Sequence, residues 1–191
     1  METLNIVALF DETIQKIQAL ASDVGLTITY SSLPNAVYCL ANRENLERAV
    51  LNLFSNAIKF SVPGGTIQAQ LTLREKTLRF SIQDSGSGIP ANLRGSIFSR
   101  YLHHPTVEEG RQGLGLGMAI VCAAAHAHGG TVLLQQPENQ GTRISITIPL
   151  KQRSGTEVHS SVIHFDYSGE LDHALLELSD ALPASAYKNI L

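Results

Sequence analysis

Four short stretches of this 191-residue chain carry side chains suited to chemistry. The first is Asp84-Ser85-Gly86-Ser87-Gly88-Ile89-Pro90, which follows an alternating run, Thr77–Gln83, that reads as a strand. A plain hairpin needs only one or two residues with positive φ. Here a carboxylate at the strand end is followed by two glycines one residue apart, and the loop runs on. Such glycines leave room for a ligand against the backbone, and Asp84 supplies an acceptor at a fixed height beside it. Taken alone, D-x-G-x-G also fits an ordinary turn. The second stretch lies on a helical pattern over Arg43–Phe60, where Asn52, Asn56 and Lys59 share one face beside the apolar stripe Leu46, Ala49, Val50, Leu53 and Ala57. An amide oxygen is a neutral, hard ligand suited to Mg²⁺, an ion that keeps several waters and takes phosphate oxygens as partners. A lysine one turn on offsets phosphate charge. The same three residues also fit a solvated face. Phe60 is either core or a flat wall for a ring.

The third stretch is Arg111-Gln112-Gly113-Leu114-Gly115-Leu116-Gly117-Met118. Three alternate glycines lead into a helix start, where free N–H groups attract phosphate. They also fit a hinge, and the two roles are compatible. Walker A is absent, the dinucleotide fingerprint fails because Met118 and Ile120 stand where its last glycine would fall, and protein-kinase signatures are missing. The fourth is Gly141-Thr142-Arg143, where the Thr142 hydroxyl is placed to reach Asp84 through water or is simply a strand residue.

These residues need a scaffold, and 43% hydrophobic residues supply its core. A helix is expected over residues 5–24, directly after Met1 as in a segment of a larger protein, and stopped by Gly25. Short strands follow at 26–30 and 37–40, and Asn42 caps the helix bearing Asn52. Residues 66–73 and 77–83 form a hairpin. A short helix at 91–98, a long irregular loop at 99–112, an Ala-rich helix at 113–128 and strands at 131–135 and 142–150 complete an α/β sandwich, a mixed sheet with helices covering one face. Residues 151–191 read as a linker with an accessory strand and an amphipathic helix, Leu171, Leu175, Leu178 and Leu182 in register, suited to docking on the sandwich or on another domain.

Net charge is −3, and Lys and Arg balance Asp and Glu through Leu150, so no basic face for nucleic acid is expected. Cys39 and Cys122 read as reduced, buried thiols of a cytosolic chain. No signal peptide and no run near the ~18 apolar residues of a membrane span are seen, so this segment is expected to make no direct membrane contact.

Together the stretches resemble a known family. Asn52-Leu53-Phe54-Ser55-Asn56-Ala57-Ile58-Lys59-Phe60-Ser61 resembles the N box of histidine-kinase ATP-binding domains, and Asp84-Ser85-Gly86-Ser87-Gly88-Ile89 their first glycine box. Ile97-Phe98-Ser99-Arg100-Tyr101 resembles the phenylalanine box, Gly113-Leu114-Gly115-Leu116-Gly117 the second glycine box, and Gly141-Thr142-Arg143-Ile144-Ser145-Ile146 the closing strand. Order and spacing match over residues 1–150, so the chain is identified as similar to the catalytic and ATP-binding domain of a two-component sensor histidine kinase, within the GHKL superfamily.

The resemblance implies a two-layer α/β sandwich with a mixed, mainly antiparallel sheet. It implies Mg-ATP as cosubstrate, with Asn56 the main Mg²⁺ ligand, Asn52 close by, Lys59 at the phosphates and Phe60 on adenine. Asp84 would accept from the adenine amino group, with Gly86, Gly88 and Ile89 around the base and Thr142 behind it. Residues 99–112 would be a lid, Arg100 would touch phosphate, and Gly113, Leu114, Gly115, Leu116 and Gly117 would lie beneath the phosphates. Partners implied are the dimerisation domain that carries the phosphoacceptor histidine and a response regulator, in the cytoplasm or on the cytosolic side of a membrane-anchored kinase.

None of the seven histidines fits the acceptor pattern, a histidine on a dimerising helix followed by an acidic residue and a proline a few positions on. His126 and His128 are expected to be structural, at the end of a buried helix. Alternatives that keep the pocket are a serine kinase of the anti-sigma type, an ATPase clamp and a non-catalytic nucleotide-binding module. Clamp ATPases of the superfamily usually place Glu where Asn52 stands, and an amide takes no proton, so hydrolysis is expected to be slow.

Overall fold

A computed structural model describes residues 1–90, 117–137 and 141–150. The helix expected at 91–98, the loop at 99–112 and the tail at 151–191 lie outside the described residues, as do Arg100, Gly113, Leu114, Gly115 and Leu116.

The chain opens with strand β1 (Glu2–Asn5) and helix α1 (Ile6–Asp23), whose first turn is capped by Asn5 Oδ1 accepting from Ala8 N at 3.4 Å. Strands β2 (Thr27–Ser31) and β3 (Tyr38–Ala41) precede helix α2 (Arg43–Phe60), where Asn42 Oδ1 accepts from Asn45 N at 2.9 Å. Strands β4 (Thr66–Arg74) and β5 (Thr77–Gln83) form the hairpin, followed by helix α3 (Gly117–Ala127), β6 (Val132–Gln135) and β7 (Arg143–Pro149). β1 departs from expectation. Four residues without alternation give no strand signal, and β1 exists because it pairs antiparallel with β3, Leu4 opposite Cys39. This pair forms a small sheet of its own.

The main sheet runs β2-β4-β5-β7-β6. Among the described strands of this sheet only β2 and β4 are parallel; they need a crossover, which α2 provides, while the other neighbours pair antiparallel. One face is apolar: Ile67, Ala69 and Leu71 of β4, Leu78, Phe80 and Ile82 of β5, and Ile144, Ile146 and Ile148 of β7 are all buried. Phe80 lies at its centre, edge-on to Phe10 of α1 at 5.0 Å between ring centroids and 6.3 Å from Phe54 of α2. Each such ring contributes about 1.5–3 kcal/mol by leaving water.

α2 is buried well beyond its stripe. Leu51, Asn52, Phe54, Ser55 and Ile58 are buried too, because α1, α3 and the sheet surround it. Exposure therefore rises along the polar face, from buried Asn52 through half-buried Asn56 to exposed Lys59.

Candidate functional site

Asp84 is the first residue past β5, where the sheet ends and the loop begins. Its N–H donates to Thr142 O at 3.0 Å, which continues the β5–β7 pairing by one step. Its carboxylate is turned back on the chain: Oδ1 accepts from Gly86 N at 2.8 Å and from Thr142 N at 3.1 Å. Burial to 8% exposure pushes the carboxyl above the usual Asp range, and the two N–H donors counter this in part. Thr142 thus reaches Asp84 directly and through main chain. The β5–β7 adjacency brings the two together, and neither local sequence contains it.

Close approach explains two glycines. A Cβ on Gly86 would fall 2.2 Å from Phe60 O, so the loop after Asp84 lies flat on the last turn of α2. A Cβ on Gly141, whose φ is +86°, would fall 2.0 Å from Asp84 O. Gly88, at φ +77°, borders the Gln136 side chain and Gly141 O, and Ile89 beside it is half-buried. In the sequence Gly141 stands only as part of a strand entry, and nothing there marks Gln136. The hydroxyls of Ser61 and Ser85 are buried at the same seam.

Phe60 is 62% exposed, which decides against the core role, and Lys59 Nζ lies 5.9 Å from its ring centroid. The contact of Gly86 with Phe60 O sets the backbone of the last turn of α2, which carries this ring and the lysine, against the Asp84 loop. On the other side, Asn52 donates from Nδ2 to Arg48 O at 2.8 Å, and its Oδ1 faces Gly117 at the start of α3. Asn56 follows one turn on. The fold therefore gathers Asn52, Asn56, Lys59, Phe60, Asp84, Gly86, Gly88, Thr142 and Gly117 along the C-terminal half of α2 and the ends of β5 and β7.

Among the described residues no group of three or more His, Cys, Asp or Glu is placed to hold an ion. Two amides one turn apart fit Mg²⁺, which draws most of its ligands from water and phosphate.

His128 is structural. Its Nε2 accepts from Asn42 N at 3.0 Å while Nδ1 bonds Ala124 O at 2.6 Å, a pair that requires the neutral imidazole with the proton on Nδ1. His126, at the end of the same helix as expected, is exposed.

Residues 41–152 match the family model described as histidine kinase-, DNA gyrase B- and HSP90-like ATPase. The chain belongs to this family. Its relatives include the sensor histidine kinase TmoS of Ectopseudomonas mendocina, 35% identical over 137 residues, which are 70% of this chain and 14% of that protein. The signal transduction histidine-protein kinase/phosphatase MprB of Mycolicibacterium vanbaalenii is 32% identical over 159 residues, 83% of this chain and 30% of that protein. The chain thus spans less than a third of the length of these relatives. Among solved structures, a mycobacterial sensor histidine kinase MprB superposes with TM-score 0.62 at 28% identity, covering 78% of this chain and 97% of that one. The catalytic domain of histidine kinase ThkA gives 0.67 at 25% identity, with the same coverage. The architecture is that of the histidine-kinase ATP-binding domains, as the motifs implied.

Proposed function

We propose that this chain carries the ATP-binding catalytic domain of a sensor histidine kinase. It transfers the γ-phosphate of Mg-ATP to a histidine on a dimerisation domain outside this chain, for onward signalling to a response regulator. The observation that supports the reading best is Asp84: a buried carboxylate whose Oδ1 is fixed by Gly86 and Thr142, in a loop packed on the backbone of Phe60. Adenine offers an amino group to such an acceptor. Guanine offers a carbonyl oxygen at the same place, which a carboxylate repels.

The remaining residues divide the work. Phe60 stacks on the base, and Gly86, Gly88 and Ile89 shape the loop around it. Asn56, with Asn52 beside it, holds Mg²⁺ through amide oxygens, and Lys59 brings positive charge to the phosphates. When bound, the ion neutralises charge on the phosphates and orients them. Gly117 belongs to the phosphate side, with Arg100, Gly113, Leu114, Gly115 and Leu116 assigned there by motif alone. In phosphoryl transfer, positioning and charge neutralisation supply most of the catalysis. Residues 1–150 form the domain in this reading, and 151–191 an accessory segment. No helix among the described residues is long and apolar enough to cross a membrane, and we place the domain in the cytosol.

Incubation with labelled ATP and a separately supplied dimerisation domain tests the chemistry. Acid-labile, base-stable label on that domain is expected, as for phosphohistidine. Acid-stable label would favour the serine-kinase alternative.

A further inference from the structure

Asn52 is held between two restraints. Its Nδ2 donates to Arg48 O, one turn back on α2, and the residue is 6% exposed. On its other side stands Gly117, where a Cβ would lie 2.6 Å from Asn52 Oδ1, 3.4 Å from Cγ and 3.7 Å from Cβ. The first distance is shorter than real Cβ atoms adopt, so the contact exists only because residue 117 has no side chain.

α3 is also anchored at its far end. His128, just past its last turn, accepts the Asn42 N–H at the start of α2. Two residues on, a Cβ at Gly130 would fall 1.6 Å from Thr147 O, so the chain leaving α3 is pressed onto β7. α3 is therefore held against α2 at both of its own ends: through His128 and Asn42 at one, and through Gly117 and Asn52, midway along α2, at the other. A methyl group at 117 meets a fixed helix behind it and a side-chain amide in front, and the amide is the part that gives.

We propose that Gly117 is a positioning residue for Asn52: its bare Cα sets the rotamer that presents the Asn52 amide to the metal side of the nucleotide site. This rests on the reading of Asn52 as a metal-side amide. It assigns Gly117 an effect on Mg²⁺ that is separate from any main-chain contact with phosphate, and that runs through one identified side chain.

The test uses the full chain, with ATP titrated by calorimetry over a series of Mg²⁺ concentrations. Gly117→Ala is expected to raise the Mg²⁺ concentration for half-maximal tightening about tenfold, the order seen when a residue supporting a metal ligand is changed. ATP affinity without Mg²⁺ is measured alongside, so that the shift in Mg²⁺ dependence is read apart from any main-chain effect on phosphate. In an Asn52→Ala background the same substitution should add nothing, because its target is gone. Additive effects, or a Gly117→Ala variant that responds to Mg²⁺ like the parent, would overturn the proposal. If Gly117→Ala unfolds, the Asn52→Ala/Gly117→Ala double variant must regain the melting temperature, since the methyl then has space; failure to regain it places the clash elsewhere and also overturns the proposal. An Asn52→Ala variant with an unaltered Mg²⁺ response is a different result: it removes the metal reading of Asn52 itself, and the positioning role falls with it.

Discussion

At the β5 end of the site the key polar atom is held by main chain, whereas at the α2 end side chains stand on a helix face. Asp84 Oδ1 receives two backbone N–H groups, and Gly86 and Gly141 are packed against carbonyl oxygens of Phe60 and Asp84. Asn52, Asn56 and Lys59 instead grade from buried to exposed along one helix. Backbone restraint suits the recognition of a rigid, planar base, whose donor must meet an acceptor at one position. A graded polar face suits a metal and phosphates, whose ligands exchange with water and tolerate small shifts. Perturbing the first end should damage fold and recognition together, and perturbing the second should change affinity in a folded protein.

The largest expected effect is at Gly141. Alanine there adds a methyl 2.0 Å from a main-chain oxygen at φ +86°. A loss of about 3 kcal/mol in stability should follow, a fall of roughly 10 °C in melting temperature by calorimetry. A variant as stable as the parent would show that this end has slack, and the contrast would blur. Asp84→Asn comes next. It puts an amide where donors already converge, and should weaken ATP binding on the order of 100-fold while leaving a cooperative melt. Unchanged affinity in a titration would count against the adenine role.

At the helix end, Asn56→Ala should lower ATP affinity about tenfold in the presence of Mg²⁺ and little in its absence. If Mg²⁺ still tightens binding as in the parent, the ion sits elsewhere. The smallest effect is in pH. Burial raises the Asp84 carboxyl above its ordinary range, so its ionised form is penalised by folding. As pH falls through the folded value, the group protonates, and its penalty on stability is relieved while the charged acceptor for adenine is lost. ATP affinity should therefore begin to fall at a higher pH than an ordinary Asp would cause, and the Asp84→Asn variant should lack this component. A parent and variant with superimposable pH profiles would contradict it.

Much of the fold is legible in the sequence alone, for physical reasons that differ by element. Asn42 as a helix cap, Gly25 just past α1, and the hairpin of β4 and β5 are local events, written in adjacent residues. β1 is not legible, since the strand it pairs with lies more than thirty residues away. The burial of α2 on several sides was hidden because a stripe reports one contact, while α2 has three sets of neighbours. In the site, residue types and spacing named Asp84, Asn52, Asn56 and the glycines. They did not reveal that Thr142 meets Asp84 by main chain, that Gly86 rests on Phe60, or that Gly117 abuts Asn52. Each of these is a tertiary approach between elements far apart in the chain, and a glycine in sequence carries no record of which neighbour it makes room for.

The most direct test of the central claim is calorimetric titration of the unsubstituted chain with ATP and, separately, GTP, both with Mg²⁺. The expected result is a single site for ATP and no measurable binding of GTP at the same concentrations. Equal affinity for the two nucleotides, or no binding of ATP by a folded protein, would contradict the assignment of Asp84 as the acceptor that selects adenine.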